Sequence, residues 1–228
     1  MTVAQSSLNA LYPHMRGADA ARPEPFADLL RAVSAKARDH QDVFARVFAE
    51  GAETLVAMAR ALAASYRGGG RLLTMGNGGS SCDAAHVAVE FLHPVTAGRP
   101  ALGAINLAAD VAMMTAVGND IGQDHIFVRP LIAHGRRGDC LIGFSTSGNS
   151  ANLLRAFTKA REMGIATLGF AGGDGGEMAV IGLDHLLTVP TGSIHRVQEC
   201  HVAAYHMLWD LTHTLLAGDR HAPEEPGR

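Results

Sequence analysis

Between Phe26 and Ala35 the apolar residues Phe26, Leu29, Leu30 and Val33 recur at helical spacing, which predicts a helix with one apolar stripe. Further helical patterns run from Asp42 to Glu50 and from Thr54 to Tyr66, the second with Leu55, Met58, Ala59 and Leu62 on one side. Arg67 to Gly70 interrupts the pattern. Five short apolar runs follow: Leu72 to Met75, Leu102 to Leu107, Cys140 to Phe144, Ala166 to Phe170 and Leu186 to Val189. Most are separated by a helix-length stretch, the alternation of a parallel sheet covered by helices. The predicted class is α/β: a doubly wound five-stranded parallel sheet flanked by helices and preceded by N-terminal helices, with right-handed connections. Ligands of such sheets bind beyond the carboxyl ends of the strands.

Two turns occupy that position. The first, GNGGSS over residues 76–81, follows an apolar run and opens a helical stretch. It matches neither the spaced dinucleotide fingerprint nor the phosphate loop that ends in Gly-Lys-Ser/Thr, so no nucleotide cofactor is expected. Its glycines alone would serve equally for a tight strand-to-helix turn. The second, STSGNS over residues 145–150, gathers Ser145, Thr146, Ser147 and Ser150 just before a helix that starts near Ala151. Hydroxyls and helix-start NH groups together can satisfy the oxygens of a phosphate. Ordinary N-capping accounts for one hydroxyl and not for four.

Two helical stretches add polar chemistry. His86 and Glu90 in SSCDAAHVAVEFL, and Gln198 and His206 in HRVQECHVAAYHML, stand four and eight residues apart, so each pair lies on one helix face. If the faces meet, they form an acid/base or metal site beside the phosphate-type turns.

Composition narrows the class. The 228 residues, 47% of them hydrophobic, suit one large α/β domain. A formal charge of -3 with scattered Lys and Arg offers no basic stripe for nucleic acid. The N-terminal residues lack a signal-peptide core, and no run approaches the roughly 18–20 apolar residues of a membrane span; neither a membrane nor a nucleic-acid partner is expected. Three scattered cysteines, Cys82, Cys140 and Cys200, read as reduced thiols of a cytoplasmic protein. The expected organisation is a flexible extension over residues 1–22, a single domain over 23–217 and a frayed tail over 218–228.

In combination and order, GNGGSSCDAAHVAVE, AVGNDIG, GDCLIGFSTSGNSANLLRA, the DGG of Asp174–Gly176 and RVQECHVAAYH resemble the bacterial phosphoheptose isomerases, the sedoheptulose 7-phosphate isomerases of the sugar isomerase (SIS) superfamily. The resemblance runs from about Gly69 to Leu216. It implies a homotetramer whose active sites are shared between subunits, acting on a phosphorylated heptose. Carried over by position, Ser80, Ser145, Thr146, Ser147 and Ser150 hold the phosphate, Asn77 and Gly78 line the sugar, and Asp120 contacts its hydroxyls. Gln198 also faces the substrate. Glu90 and His206 match the catalytic pair. His86, Glu90, Gln198 and His206 match four side chains that bind a zinc ion in some members, which implies one zinc per subunit on which turnover is not expected to depend.

The pair suits ketose–aldose chemistry: a carboxylate can take a carbon-bound proton and an imidazole can serve the oxygens and ring opening. This chain departs from the family in having His195 before RVQE, Ser81 where a His is frequent, and FLHP over residues 91–94 in place of a short basic stretch. Two other classes share the superfamily: a replication-initiation factor that binds the initiator protein, and sugar-phosphate sensors. Retention of Glu90 and His206 argues against a purely interaction role. Trp209 reads as packing, Asp83 as a favourable charge near a helix start, and Asp139 as a turn residue.

Overall fold

The computed structural model describes residues 26–96 and 98–218. The expected extension over residues 1–22 and the tail from 219 onward lie outside the described residues. The described residues divide into two compact units, the first ending at His40 and the second beginning at Gln41. In the first, Phe26, Leu29, Leu30 and Val33 are all exposed along the start of helix α1 (Phe26–Arg67).

The separate helical stretches expected before the first strand are one continuous helix, α1. Ala35–Gln41 contains no Gly or Pro, so nothing in it stops a helix. Gly51 is kept for space: a Cβ there would lie 2.4 Å from Leu187 Cδ1. The gap left between the two helical patterns at residues 51–53 is thus a site of close packing against a strand.

The five predicted runs are strands β1 (Leu72–Gly76), β2 (Ala104–Asn106), β3 (Cys140–Ser145), β4 (Ala166–Gly172) and β5 (His185–Val189). Helices α2 (Gly79–Leu92), α3 (Val111–Asp120), α4 (Val128–His134), α5 (Ala151–Glu162) and α6 (Ile194–Gly218) complete the domain. All strand pairs are parallel, in the order β2-β1-β3-β4-β5. Alternation sorts the core onto two faces. Leu72, Cys140, Ile142, Phe144, Leu168 and Phe170 pack with Leu55, Met58 and Leu62 of α1, Val87 and Phe91 of α2, and Tyr205 and Leu208 of α6. Leu73, Met75, Leu141 and Ala171 pack on the other face with Val117 of α3, Leu131 of α4 and Leu153, Ala156 and Phe157 of α5. Burial of both faces explains why the strands read as apolar runs and not as alternating patterns.

The chain leaves β1 toward β2 and returns to place β3 on the opposite side, so the switch point lies between β1 and β3. Gly76 pairs with Phe144 in that register. The GNGGSS and STSGNS turns therefore emerge side by side. No described helix is long and apolar enough to cross a membrane.

Candidate active site

The first turn leaves β1 at Gly76, where a Cβ would lie 2.2 Å from the Ser80 carbonyl oxygen, and continues through Gly78 at φ +54°, a conformation that favours glycine. No side chain caps the start of α2; the Ser81 amide donates to Gly78 O at 3.0 Å, which leaves the NH groups of Gly79 and Ser80 for a ligand. Ser80 is buried, whereas Asn77 and Gly78 are exposed.

In the second turn Ser150 precedes α5, yet its side chain does not cap the helix. Its Oγ instead lies 3.0 Å from Ser145 Oγ. Thr146 is half-buried and Ser147 exposed, with Ser147 Oγ accepting the Asn149 amide at 3.2 Å. Simple capping therefore does not explain this cluster of hydroxyls. The Asp174–Gly176 loop and the short turn after it support this turn: Asn149 Oδ1 accepts the Glu177 amide at 2.8 Å, and Gly148 O accepts the Met178 amide at 3.0 Å. The two turns are tied by a reciprocal amide pair, with Asn77 Nδ2 donating to Asn152 Oδ1 at 2.9 Å and Asn152 Nδ2 to Asn77 Oδ1 at 3.0 Å.

Helix α2 carries His86 and Glu90 one turn apart, with His86 Nε2 3.1 Å from Glu90 Oε1. Helix α6 packs beside α2 and brings His206 to them. The His86 and His206 rings are 5.1 Å apart, and the ligand-type atoms of His86, Glu90 and His206 all lie within 4.8 Å of one another. The two polar helix faces do meet. Gln198, two turns earlier on α6, lies against the glycine turn: a Cβ on Gly79 would be 2.3 Å from Gln198 Nε2. Asp120 ends α3, exposed, and accepts a hydrogen bond from Asn119 at 2.8 Å. No described contact joins Asp120 to the His86–Glu90–His206 cluster. A groove of about 510 Å³, lined by Leu55, Val56 and Met207 among others, opens beside His206.

Two imidazoles and a carboxylate are a familiar donor set for zinc, which takes a fourth ligand beside them. Zinc bonds of about 2.0–2.2 Å place tetrahedral ligands roughly 3.3 Å apart, a contraction that rotation of the exposed His206 and half-exposed Glu90 side chains can supply. The residues fit the ion.

Three neighbours carry signals that the sequence pattern does not display. Tyr205 is buried, and its hydroxyl lies 2.6 Å from His86 Nδ1. Burial first, then the charges of Asp83 and Glu90, push its phenol above the ordinary range, so it remains a neutral O–H group. Trp209 packs as expected and also donates its indole N–H to the Glu90 carbonyl at 2.9 Å, with the Arg99 guanidinium 5.4 Å from its ring centre. Asp83 is not the favourable helix-start charge expected, since it lies beyond the first turn of α2: it is buried, its Oδ2 has no hydrogen-bond partner, and burial pushes its carboxyl up to about 6 despite the opposing influence of His86. Asp139 is the expected turn residue, accepting the Arg71 and Arg136 amides at 2.9 Å each. Cys82, Cys140 and Cys200 are free thiols, the last two buried.

Comparison with known proteins places this architecture. Residues 37–172 match the SIS domain family. The phosphoheptose isomerase of Chlorobium phaeovibrioides is 44% identical over 173 residues, covering 75% of this chain and 81% of that protein. The chain belongs to the phosphoheptose isomerase family of SIS-domain proteins. The enzyme of the same name from Chlorobaculum tepidum is 46% identical over 170 residues, 73% of this chain and 81% of its own. Among solved structures, the phosphoheptose isomerase of Neisseria gonorrhoeae superposes with a TM-score of 0.77 at 34% identity, over 82% of this chain and 99% of that one. As a member of this family the chain is an enzyme, a sugar-phosphate isomerase. The family match begins at residue 37, within α1, earlier than the Gly69 at which the sequence motifs first suggest it.

Proposed function

We propose that the chain converts sedoheptulose 7-phosphate to D-glycero-D-manno-heptose 7-phosphate, with Glu90 as base and His206 as acid. The observation that carries this reading is the convergence of Glu90 and His206, from helices more than a hundred residues apart in sequence, to within 4.8 Å, with Glu90 on the helix that the first phosphate-type turn opens.

The ketose carries its carbonyl at C2 and a hydroxymethyl group at C1. Glu90 takes a proton from C1, and the electron pair forms the C1–C2 double bond of an enediol as the C2 carbonyl oxygen gains a proton. The proton on the Glu90 carboxyl exchanges with solvent, and delivery of a proton from it to C2 with loss of the O1 proton leaves an aldehyde at C1 and a hydroxyl at C2. His206 serves the oxygens in both halves and assists ring opening. Ser80, Ser145, Thr146, Ser147 and Ser150, with the free NH groups at the start of α2, hold the phosphate and so fix C1 and C2 at the carboxylate. Asn77 and Gly78 line the sugar, Gln198 faces it from α6, and Asp120 contacts its hydroxyls. His86, Glu90 and His206, with Gln198, would hold one zinc ion, which when bound polarises the carbonyl and stabilises negative charge on oxygen.

The exposure of His206 and the open groove beside it support a site completed by a neighbouring subunit, in a homotetramer with shared active sites. The test is NMR of sedoheptulose 7-phosphate with purified protein. An aldoheptose 7-phosphate should form, and Glu90→Gln should lower kcat by about 10³-fold while still binding substrate, the loss expected for a general base. Undiminished turnover in Glu90→Gln would remove Glu90 from this role.

A further inference from the structure

Tyr205 immediately precedes His206 on α6; it turns inward, with its ring 4.8 Å from the ring of the exposed His206. Its ring is 1% exposed and sits edge-on to Phe144 at 5.9 Å and to His86 at 5.3 Å. A ring packed in this way has little freedom to rotate. Its hydroxyl has one described partner, His86 Nδ1, at 2.6 Å. The opposite nitrogen of the same imidazole, Nε2, lies 3.1 Å from Glu90 Oε1. His86 is thus held at both nitrogens, from inside by a fixed phenol and from outside by the proposed base.

A neutral imidazole has one N–H and one lone pair, and the group at one nitrogen decides what the other presents. A carboxylate or carbonyl at Nδ1 could only accept, and would hold the N–H there. A phenol both donates and accepts. With the phenol donating to Nδ1, His86 turns an Nε2–H toward Glu90 and hydrogen-bonds its carboxylate. With the phenol accepting from Nδ1–H, the Nε2 lone pair faces the Glu90–His206 cluster and is available to a cation. The ring need not move between these two states; only two protons change place.

We propose that Tyr205 is a positioning residue that acts through His86: its hydroxyl holds the imidazole in place and supports either tautomer, so that the same ring orients Glu90 or binds a divalent cation. Tyr205 touches neither substrate nor cation. This rests on the site assignment above, but the cation-binding part is measurable without turnover.

The experiment uses the full chain and zinc itself, with affinity read by competition against a chromophoric chelator and stability followed in parallel. Tyr205→Phe keeps the packed ring and removes only the oxygen. Loss of such an outer partner of a histidine ligand typically weakens metal binding 10–100-fold. Tyr205→Phe should weaken zinc by at least 10-fold with Tm nearly unchanged. In a His86→Ala background the same substitution should change zinc affinity less than 2-fold, because the residue through which it acts is gone. Equal zinc affinity in wild type and Tyr205→Phe overturns the proposal. So does a full loss that persists without His86, or wild-type affinity no better than that of His86→Ala. Absence of sugar isomerisation with these zinc results intact would sink the proposed reaction and leave the role of Tyr205 standing.

Discussion

Gly148 and Gly173 both adopt left-handed backbone conformations, at φ +68° and +63°, but their surroundings differ. A Cβ on Gly148 would lie 2.0 Å from the Gly175 carbonyl oxygen and 2.5 Å from its carbon, whereas one on Gly173 would meet nothing within 4 Å. In both, alanine incurs a left-handed cost of about 1–2 kcal/mol, offset by roughly 0.4–1 kcal/mol from the stiffer unfolded chain. In Gly148→Ala alone, overpacking adds about 1–3 kcal/mol, and it falls on backbone that cannot swing aside. Gly148→Ala should therefore be less stable than Gly173→Ala by about 2 kcal/mol, measured by urea unfolding at one protein concentration. The strain acts where the Asp174–Gly176 loop supports the hydroxyl turn, so Gly148→Ala should also bind inorganic phosphate at least 10-fold more weakly, with Gly173→Ala close to wild type. Equal stability of the two variants, or unchanged phosphate binding in Gly148→Ala, would refute the view that this loop shapes the phosphate site.

Other perturbations have equally definite outcomes. Asp83 has a folded-state pKa near 6 against an ordinary 3.8, so the folded protein holds that proton more tightly than the unfolded chain. Its destabilising effect is absent below about pH 4 and grows as pH rises to about 6, and above that Asp83→Asn should gain stability relative to wild type by at most about 3 kcal/mol; a pH-independent difference in unfolding free energy would contradict this. Gly79→Ala would push aside the Gln198 amide, whose Nε2 would be 2.3 Å away. Because a side-chain end can yield, the variant should fold normally but bind substrate several-fold more weakly, and a wild-type KM would show that Gln198 does not face the sugar.

Much of the fold was legible because a parallel sheet covered on both faces needs apolar runs, and these stand out against helical stretches with one apolar stripe. The continuity of α1 was not legible, since Gly51 resembles a break until Leu187 is seen against it. The meeting of α2 with α6 followed from the order of motifs, and their helical spacing gave each polar face its direction. The role of Ser150 could not be read from sequence, because a capping serine and one paired with Ser145 look the same. Asp83 and Tyr205 were missed for a related reason. Their chemistry comes from burial and from a partner 119 residues away in the case of Tyr205, neither of which local pattern encodes.

The central claim is proton transfer through an enediol between Glu90 and the two carbons of a ketose phosphate. Conversion of sedoheptulose 7-phosphate in D2O, followed by 1H and 13C NMR, tests it most directly. The account predicts an aldoheptose 7-phosphate carrying deuterium at C2, with label also entering C1 of the remaining ketose, and neither signal with Glu90→Gln. Product free of deuterium at C2, or bound substrate that is never converted, would contradict it.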